Sequence, residues 1–455
     1  MGETASRALV TAYIHRLFRE GVKAVDPVHA VKSIVRFDGE MLPIDDREID
    51  VRRGRVVVIA IGKAAQEMAT GISEVLEDRI DAGFSLTKAG ARTNVQLPRF
   101  RVAYAAHPVP DMRGVEATRE ILDLVGDLGS DDVVIALISG GGSALLTAPR
   151  PPLELTDIQQ TTDLLLRAGA PIQDLNAVRS ELSLVKGGGL RRAIGEATCV
   201  SLILSDVLGN DPSIIASGPT VARKPDPERA LALLDQYGVR DRVPESVIAL
   251  LTASAENSHA SVDESRHPQD VWKIIADNRH FIEAMADAAR RDGHRPAIIW
   301  RDREGEAADL AKEFVDACAN TPDDIDVVLG GGEATVTVRG EGVGGRNTEF
   351  ALAAAFELKR RNLPWVVASV ASDGDDGANE RSAGGIADAG LIARARALGL
   401  DPDAALEAND SGTLLGRLDA MVGSDPTGTN VNDAYIGIRL PAASDEPRGT
   451  DAAPA

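Results

Sequence analysis

The sequence predicts an α/β protein of two α/β/α domains, each built on a mainly parallel sheet. Three observations carry that expectation. Runs rich in Val and Ile, such as Val56–Ile61 and Val133–Ile138, are apolar at consecutive rather than alternate positions, as strands covered on both faces must be. Ala- and Leu-rich stretches with helical spacing fall between such runs. The chain has 455 residues, which at about 150 per domain is room for two or three domains whose cores need no disulfide or metal.

In chain order, the first half offers strands at Val56–Ile61, Arg101–Ala105, Val133–Ile138 and Cys199–Leu204. The second offers Val271–Ala276, Ala297–Trp300, Asp326–Leu329, Ala334–Val338, Trp365–Ala371 and Ala434–Ile438. Helices are expected at Ala64–Leu76, Gly114–Leu124, Asp157–Ala168 and Thr348–Arg360. Glu3, Arg7, His15, Arg16 and Arg19 interrupt the apolar N-terminal stretch, so it reads as an amphipathic helix rather than a secretory signal. Residues 254–269 are polar and without period, which makes them the expected linker between a first domain, 1–253, and a second, 270–440. Residues 441–455, rich in Pro, Ala and Asp, are expected to be a disordered tail.

Acidic residues number 70 against 49 basic ones, a net charge of -21. Such a field repels phosphate backbones and anionic lipid, so nucleic-acid and membrane-surface roles are excluded as expectations. Only nine of the basic residues are lysines. Acid excess with scarce Lys fits a halophilic protein, because salt screens the self-repulsion. Cys199 and Cys318 have no CxxC companion, which writes neither a disulfide framework nor a metal knuckle and fits a reducing, cytoplasmic setting. No uncharged apolar run approaches the about 18 residues of a membrane span.

The chemistry is expected where glycine-rich turns follow buried strands, because open α/β sheets bind ligands at the carboxyl ends of their strands. Val133–Ile138 runs into Ser139, Gly140, Gly141, Gly142 and Ser143, whose backbone can approach an anion closely. Val56–Ile61 runs into Gly62 and Lys63 at a helix entrance; Ala64 after the lysine excludes a Walker A loop. Cys199–Leu204 delivers Ser205 and Asp206, a carboxylate at a strand tip that suits a base or a Mg2+ ligand, ahead of the Gly209–Pro212 turn. In the second half Gly330, Gly331, Gly332 and Glu333 precede a segment in which Gly340, Gly342 and Gly345 satisfy GxGxxG, a dinucleotide fingerprint. Arg346 stands at the following helix entrance, where a guanidinium can grip a phosphoryl group. Trp365–Ala371 then delivers Asp373, Gly374, Asp375, Asp376 and Gly377, a cluster able to hold a divalent ion. Phosphate-sized loops, one Lys, one Arg and separate Asp tips, with no Cys/His pair, describe positioning plus electrostatics, which is what phosphoryl transfer demands.

These segments resemble the glycerate 2-kinase family, whose C-terminal part is the MOFRL domain. The resemblance rests on AIGKAA at Ala60, HPVPD at His107, ISGGGSALL at Ile138, LNAVRSELSLVKGGGL at Leu175, LSDVLGNDPSIIASGPT at Leu204, GGGEATVTVRGEGVGGRNTEFAL at Gly330, ASDGDDG at Ala371 and PTGTNVNDAYI at Pro426. It implies ATP-dependent phosphorylation of D-glycerate on its 2-hydroxyl, with Mg2+ and an active site in an interdomain cleft. Lys63 and Arg346 would neutralise the transferring phosphoryl group and the glycerate carboxylate. Asp206 and Asp373 would divide the hydroxyl proton and the metal between them, in an order the residues leave open. Gly140, Gly141, Gly142, Ser143, Lys186, Asn210, Glu333, Gly345 and Asn347 would contact substrate or nucleotide. The partners implied are small molecules, with a homodimer as the assembly to test. Family members also carry the name hydroxypyruvate reductase, so an NAD(P)H-dependent reductase is the competing expectation, with the GxGxxG segment as its support. The chain departs from the family pattern at Glu181, Gly189 and Thr348 and over residues 380–385.

Overall fold

The computed structural model describes residues 3–45, 47–90, 96–256, 269–379 and 382–441. The chain divides into two compact units: Ala24–Asp277 with Gly428–Val431, and Met1–Lys23 with Asn278–Thr427 and Asn432–Ala455. No helix among the described residues is long and apolar enough to cross a membrane.

The first unit is built on β1 (Val56–Ile61), β2 (Ala82–Lys88), β3 (Phe100–Ala105), β4 (Val133–Ile138), β5 (Thr198–Leu204) and β6 (Val271–Ala276). All five pairings are parallel, in the order β3-β2-β1-β4-β5-β6. This is the doubly wound arrangement, in which the chain winds outward from β1 and then returns to place β4 on its other side. Every residue of β1 and β4 is buried, the reason both read as unbroken apolar runs. The reversal makes a switch point between their carboxyl ends, the place where such sheets open a crevice.

In the second unit β7 (Pro296–Glu306), β8 (Val327–Thr335), β9 (Trp365–Ala371), β10 (Ser382–Asp388), β11 (Met421–Gly423) and β12 (Asp433–Arg439) lie in the order β11-β10-β9-β12-β8-β7. The α/β class stands, but only β7 and β8 run parallel here; the other four pairings are antiparallel. The cause is β12, which returns between β8 and β9 against the direction of both. Its first residue, Asp433, therefore pairs with Gly332 of β8 and Ala371 of β9. The core beside it is aromatic, with Phe350 and Tyr435 stacked at 4.6 Å between centroids.

The expected helices are present as Ala65–Leu76, Met112–Gly126, Leu155–Arg167 and Arg346–Arg361. Other expectations change. The expected boundary places Val271–Ala276 in the second domain, yet as β6 it completes the first sheet, because the open edge of β5 takes it as a hydrogen-bonded neighbour. Residues 254–256 end the helix Glu245–Glu256, while residues 257–268 of the expected linker and 442–455 of the expected tail lie outside the described residues. The N-terminal helix, Glu3–Ala24, belongs largely to the second unit. It buries Ile14, Leu17 and Phe18, with Phe18 edge-on to Phe281. Finally, Gly330–Gly332 is not a turn between two strands but the middle of β8. A Cβ on Gly332 would overlap the backbone of Arg303 in β7, so the glycines serve close strand packing beside the β7 bulge.

Candidate active site

At the switch point of the first sheet the turns after β1 and β4 are tied together. The Lys63 N–H donates to the Gly140 carbonyl at 2.9 Å. Ser139 Oγ accepts from the Ala64 N–H at 3.1 Å and donates to the Ile61 carbonyl at 3.3 Å. Asp206, beyond β5, presses against Gly140, where a Cβ would overlap its carboxylate. At Gly141, with φ +81°, a Cβ would lie 3.1 Å from the His107 ring and 3.1 Å from Lys63 Cγ. Lys63, Asp206, His107 and the glycine loop are therefore one cluster at the carboxyl edge of the sheet. Burial pushes the Asp206 carboxyl up, with the Lys63 ammonium opposing. Burial, followed by the charges of Lys63 and Lys88, pushes the His107 imidazole down. This keeps the ring neutral at pH 7. Because the Asp206 carboxylate needs the space a methyl would fill, Gly140→Ala is expected to lower kcat/KM by about 100-fold with a smaller loss of thermal stability. Steady-state kinetics beside a melting curve check it.

The remaining residues expected in this unit do other work. Lys186 is 2% exposed, and its ammonium donates to the carbonyls of Ser143 at 2.5 Å and Leu146 at 3.1 Å. It braces the loop from beneath rather than presenting itself to a ligand. Asn210 donates its amide to Asp277 Oδ2 at 2.5 Å, so that side chain ties the loop after β5 to the end of β6.

The second unit gathers Arg346, Asp433, Glu333 and Asp373. The Arg346 guanidinium donates through Nε and Nη2 to both oxygens of Asp433, at 2.6 and 2.8 Å. Asp433 is fully buried and also accepts from Asn347 Nδ2 at 3.2 Å and from the Ala334 N–H at 3.2 Å. Burial opposes the Arg346 charge, but Asp433, then Glu333 and Asp373, outweigh it and hold the guanidinium protonated. One edge of Arg346 is thus spent on Asp433; a phosphoryl or carboxylate group can take only the other, which corrects the expectation of a fully available fork. Asp373 stays partly exposed, its carboxyl pushed up by burial and by the neighbouring charges of Asp433 and Asp375, with Arg346 opposing.

Two expected ligand contacts in this unit are structural. Asn347 is fully buried, donates to Asp376 and Asp433, and accepts from Ser369 Oγ. Asp376 accepts from the Asn347 and Thr348 N–H groups at 2.8 and 2.9 Å, so a side-chain carboxylate already occupies the entrance of helix Arg346–Arg361. Gly345 leaves room for that carboxylate, which a Cβ would overlap. Gly340 and Gly342 pack on the Ala408–Asp410 backbone, and the Arg339 and Gly340 N–H groups donate to Asn409 Oδ1. The GxGxxG glycines are consumed by chain packing and follow a strand of the mixed sheet, not β1 of the doubly wound one. The dinucleotide expectation loses its residues.

Asp433 and His107 were not among the expected site residues. The signal for Asp433 was present, since a buried arginine at a helix entrance needs a carboxylate and the PTGTNVND segment supplies one ahead of the last strand. Among the described residues no three His, Cys, Asp or Glu side chains converge as a metal cage.

The model of the family described as "Domain of unknown function (DUF4147)" matches residues 13–252, and that of the "MOFRL family" matches residues 326–433. The glycerate 2-kinase of Pyrococcus horikoshii is 36% identical over 432 residues, covering 93% of this chain and 96% of its own. A putative hydroxypyruvate reductase of Agrobacterium vitis is 38% identical over 428 residues, with 92% of each chain covered. The crystal structure of a glycerate kinase from Thermotoga maritima matches with a TM-score of 0.83 at 31% identity, covering 96% of this chain and 100% of that one. The chain belongs to the glycerate kinase family, with the MOFRL domain as its C-terminal part.

Proposed function

We propose that the protein is a kinase that transfers a phosphoryl group from ATP to the 2-hydroxyl of D-glycerate, giving 2-phosphoglycerate. The observation that carries the reading is the Asp206 carboxylate set against Gly140 beside Lys63, at the switch point of a doubly wound sheet. Family membership supplies the substrate class.

In this reading Asp206 accepts the proton of the attacking hydroxyl. Burial raises its carboxyl, which makes it a stronger base than an exposed aspartate, and the Lys63 charge favours the ionised form. Lys63 also offers the transferring group a point positive charge, while the backbone of Gly140–Gly142 lets that group approach closely. In the second unit Arg346, held in place by Asp433, keeps one guanidinium edge for an oxyanion. Of the two candidate metal ligands, Asp373 fits Mg2+ better. It is crowded by Asp433 and Asp375, whose repulsion a cation relieves, whereas Asp206 faces the Lys63 ammonium. One carboxylate suffices, because Mg2+ keeps several waters and takes phosphate oxygens. Bound there, the ion would supply positive charge to an oxyanion that reaches this unit. Cys199 and Cys318 are free and buried, which suits a reducing cytoplasm.

The base assignment sets a pH dependence. Asp206 must be ionised to accept a proton, and its folded-state value lies above the usual carboxylate range. kcat/KM is expected to fall as pH is lowered, along a limb displaced upward from an ordinary aspartate and absent from the residual activity of Asp206→Asn. A limb that survives this substitution removes Asp206 from the role.

Phosphorus NMR of the protein incubated with D-glycerate, ATP and Mg2+ in high-KCl buffer tests the whole reading, beside an NADH and hydroxypyruvate control. A 2-phosphoglycerate signal is expected. NADH oxidation without a phosphorylated product overturns it.

A further inference from the structure

Beside the glycine loop the first unit holds two basic side chains, Arg179 and Lys186, for which no carboxylate partner stands among the described residues. Arg179, in helix Ile172–Glu181, donates through Nη2 to the Ser143 carbonyl at 3.2 Å. Lys186 donates to the same carbonyl, and its ammonium is pushed well down by burial and then by the Arg179 charge. Burial lowers Arg179, and no acidic side chain among the described residues offsets it. Its Nε is buried and has no hydrogen-bond partner, while the residue as a whole stays partly exposed. A guanidinium with a buried, unpartnered Nε is costly in a protein of net charge -21 that has carboxylates to spare. The arrangement is accounted for by an anion that arrives from solution.

The surroundings fit that role. Ser143 Oγ lies 2.7 Å from Ser217 Oγ, which donates to Asn176 Oδ1 at 3.0 Å. Ala216 and Ser217 have φ of +51° and +63°, left-handed values that side chains other than glycine rarely adopt. The strain is held where Ser217 meets Ser143, as at sites that must present a group in one geometry. Ser143 also lies three residues from Gly140, at most about 10 Å of chain, so one loop joins Asp206 to Arg179.

We propose that Arg179, seated on the Ser143 carbonyl and backed by Lys186, is the oxyanion-recognition residue of this unit and takes the carboxylate of the hydroxy acid. The proposal rests on the kinase reading for the identity of that acid. A guanidinium fork matches a planar carboxylate, whereas Lys63 gives the moving phosphoryl group a flexible point charge. Lys186 is a positioning residue: it fixes the carbonyl on which Arg179 sits.

Titration calorimetry with D-glycerate, inorganic phosphate and ATP, on the wild type, Arg179→Gln and Arg179→Lys, tests it, with melting curves and the phosphorus NMR assay alongside. Arg179→Gln is expected to weaken D-glycerate binding by about 100-fold and leave ATP binding unchanged. If Arg179→Gln does not fold, Arg179→Lys decides, because it keeps the charge and loses the fork: a drop of about tenfold supports the proposal and wild-type affinity overturns it. Loss confined to ATP and phosphate overturns it in favour of the donor's phosphates. Wild-type D-glycerate affinity in a folded Arg179→Gln protein, or no binding of any of the three anions to the wild type, overturns it outright. A wild type that binds D-glycerate through Arg179 yet yields no phosphorylated product sinks the kinase reading and leaves this site standing.

Discussion

Asp206→Asn is expected to lower kcat by about 1000-fold while raising the thermal midpoint, because the amide keeps the shape of the carboxylate and loses both its basicity and its charge. The stability effect has a definite sign. Burial raises the Asp206 carboxyl in the folded protein above its unfolded value, so the folded state binds the proton more tightly. The stability this group contributes is present below the unfolded value and lost as pH rises through the folded one. At neutral pH the ionised carboxylate therefore works against folding, and Asn removes that opposition. Lys63 reduces the effect, since its charge favours the ionised form. A substitution that abolishes turnover and stabilises the fold marks a residue kept for chemistry. Melting curves and single-turnover rates on the same preparation check both halves; a kcat near wild type removes Asp206 as the base.

Arg346→Ala should be the most destabilising single change in the second unit, at about 3 to 5 kcal/mol, because it leaves the fully buried Asp433 carboxylate without its bidentate partner. The melting transition should fall by roughly 10 °C. Turnover should fall by about 100-fold or more through loss of the free guanidinium edge. The two losses separate in the double variant Arg346→Ala with Asp433→Asn, which no longer buries a lone charge. Most of the stability is expected to return and the activity is not. Recovery of turnover together with the melting temperature would make Arg346 a structural residue only.

Legibility followed burial and range. β1, β4 and β9 match the expected ranges residue for residue, because strands buried on both faces carry near-continuous apolar runs, broken in β9 by Ser369 alone. β2 escaped because it buries Ser85 and Thr87, and β10 because it runs Ser-Ala-Gly-Gly, so neither shows an apolar run. The positions of Lys63 and Asp206 just past strand ends were legible. Gly345 and Asn347 were misread for one reason: the anion at that helix entrance is the protein's own Asp376. Local sequence shows that a helix entrance attracts negative charge but not whether a side chain from 29 residues away will fill it.

By itself the sequence determined the α/β class, most strands and helices, and the glycine-rich turns at the strand ends, since hydrophobic period and glycine content act over a few residues. The tertiary structure decided strand order and direction, and through them the partners of each charge. It put β6 in the first sheet and ran β12 backwards between β8 and β9, which set Asp433 beneath Arg346. It also set Arg179 and Lys186 on one carbonyl, with no carboxylate partner among the described residues. Strand pairing and desolvation are long-range: whether a charge is answered or left waiting for a ligand depends on what the rest of the chain brings beside it.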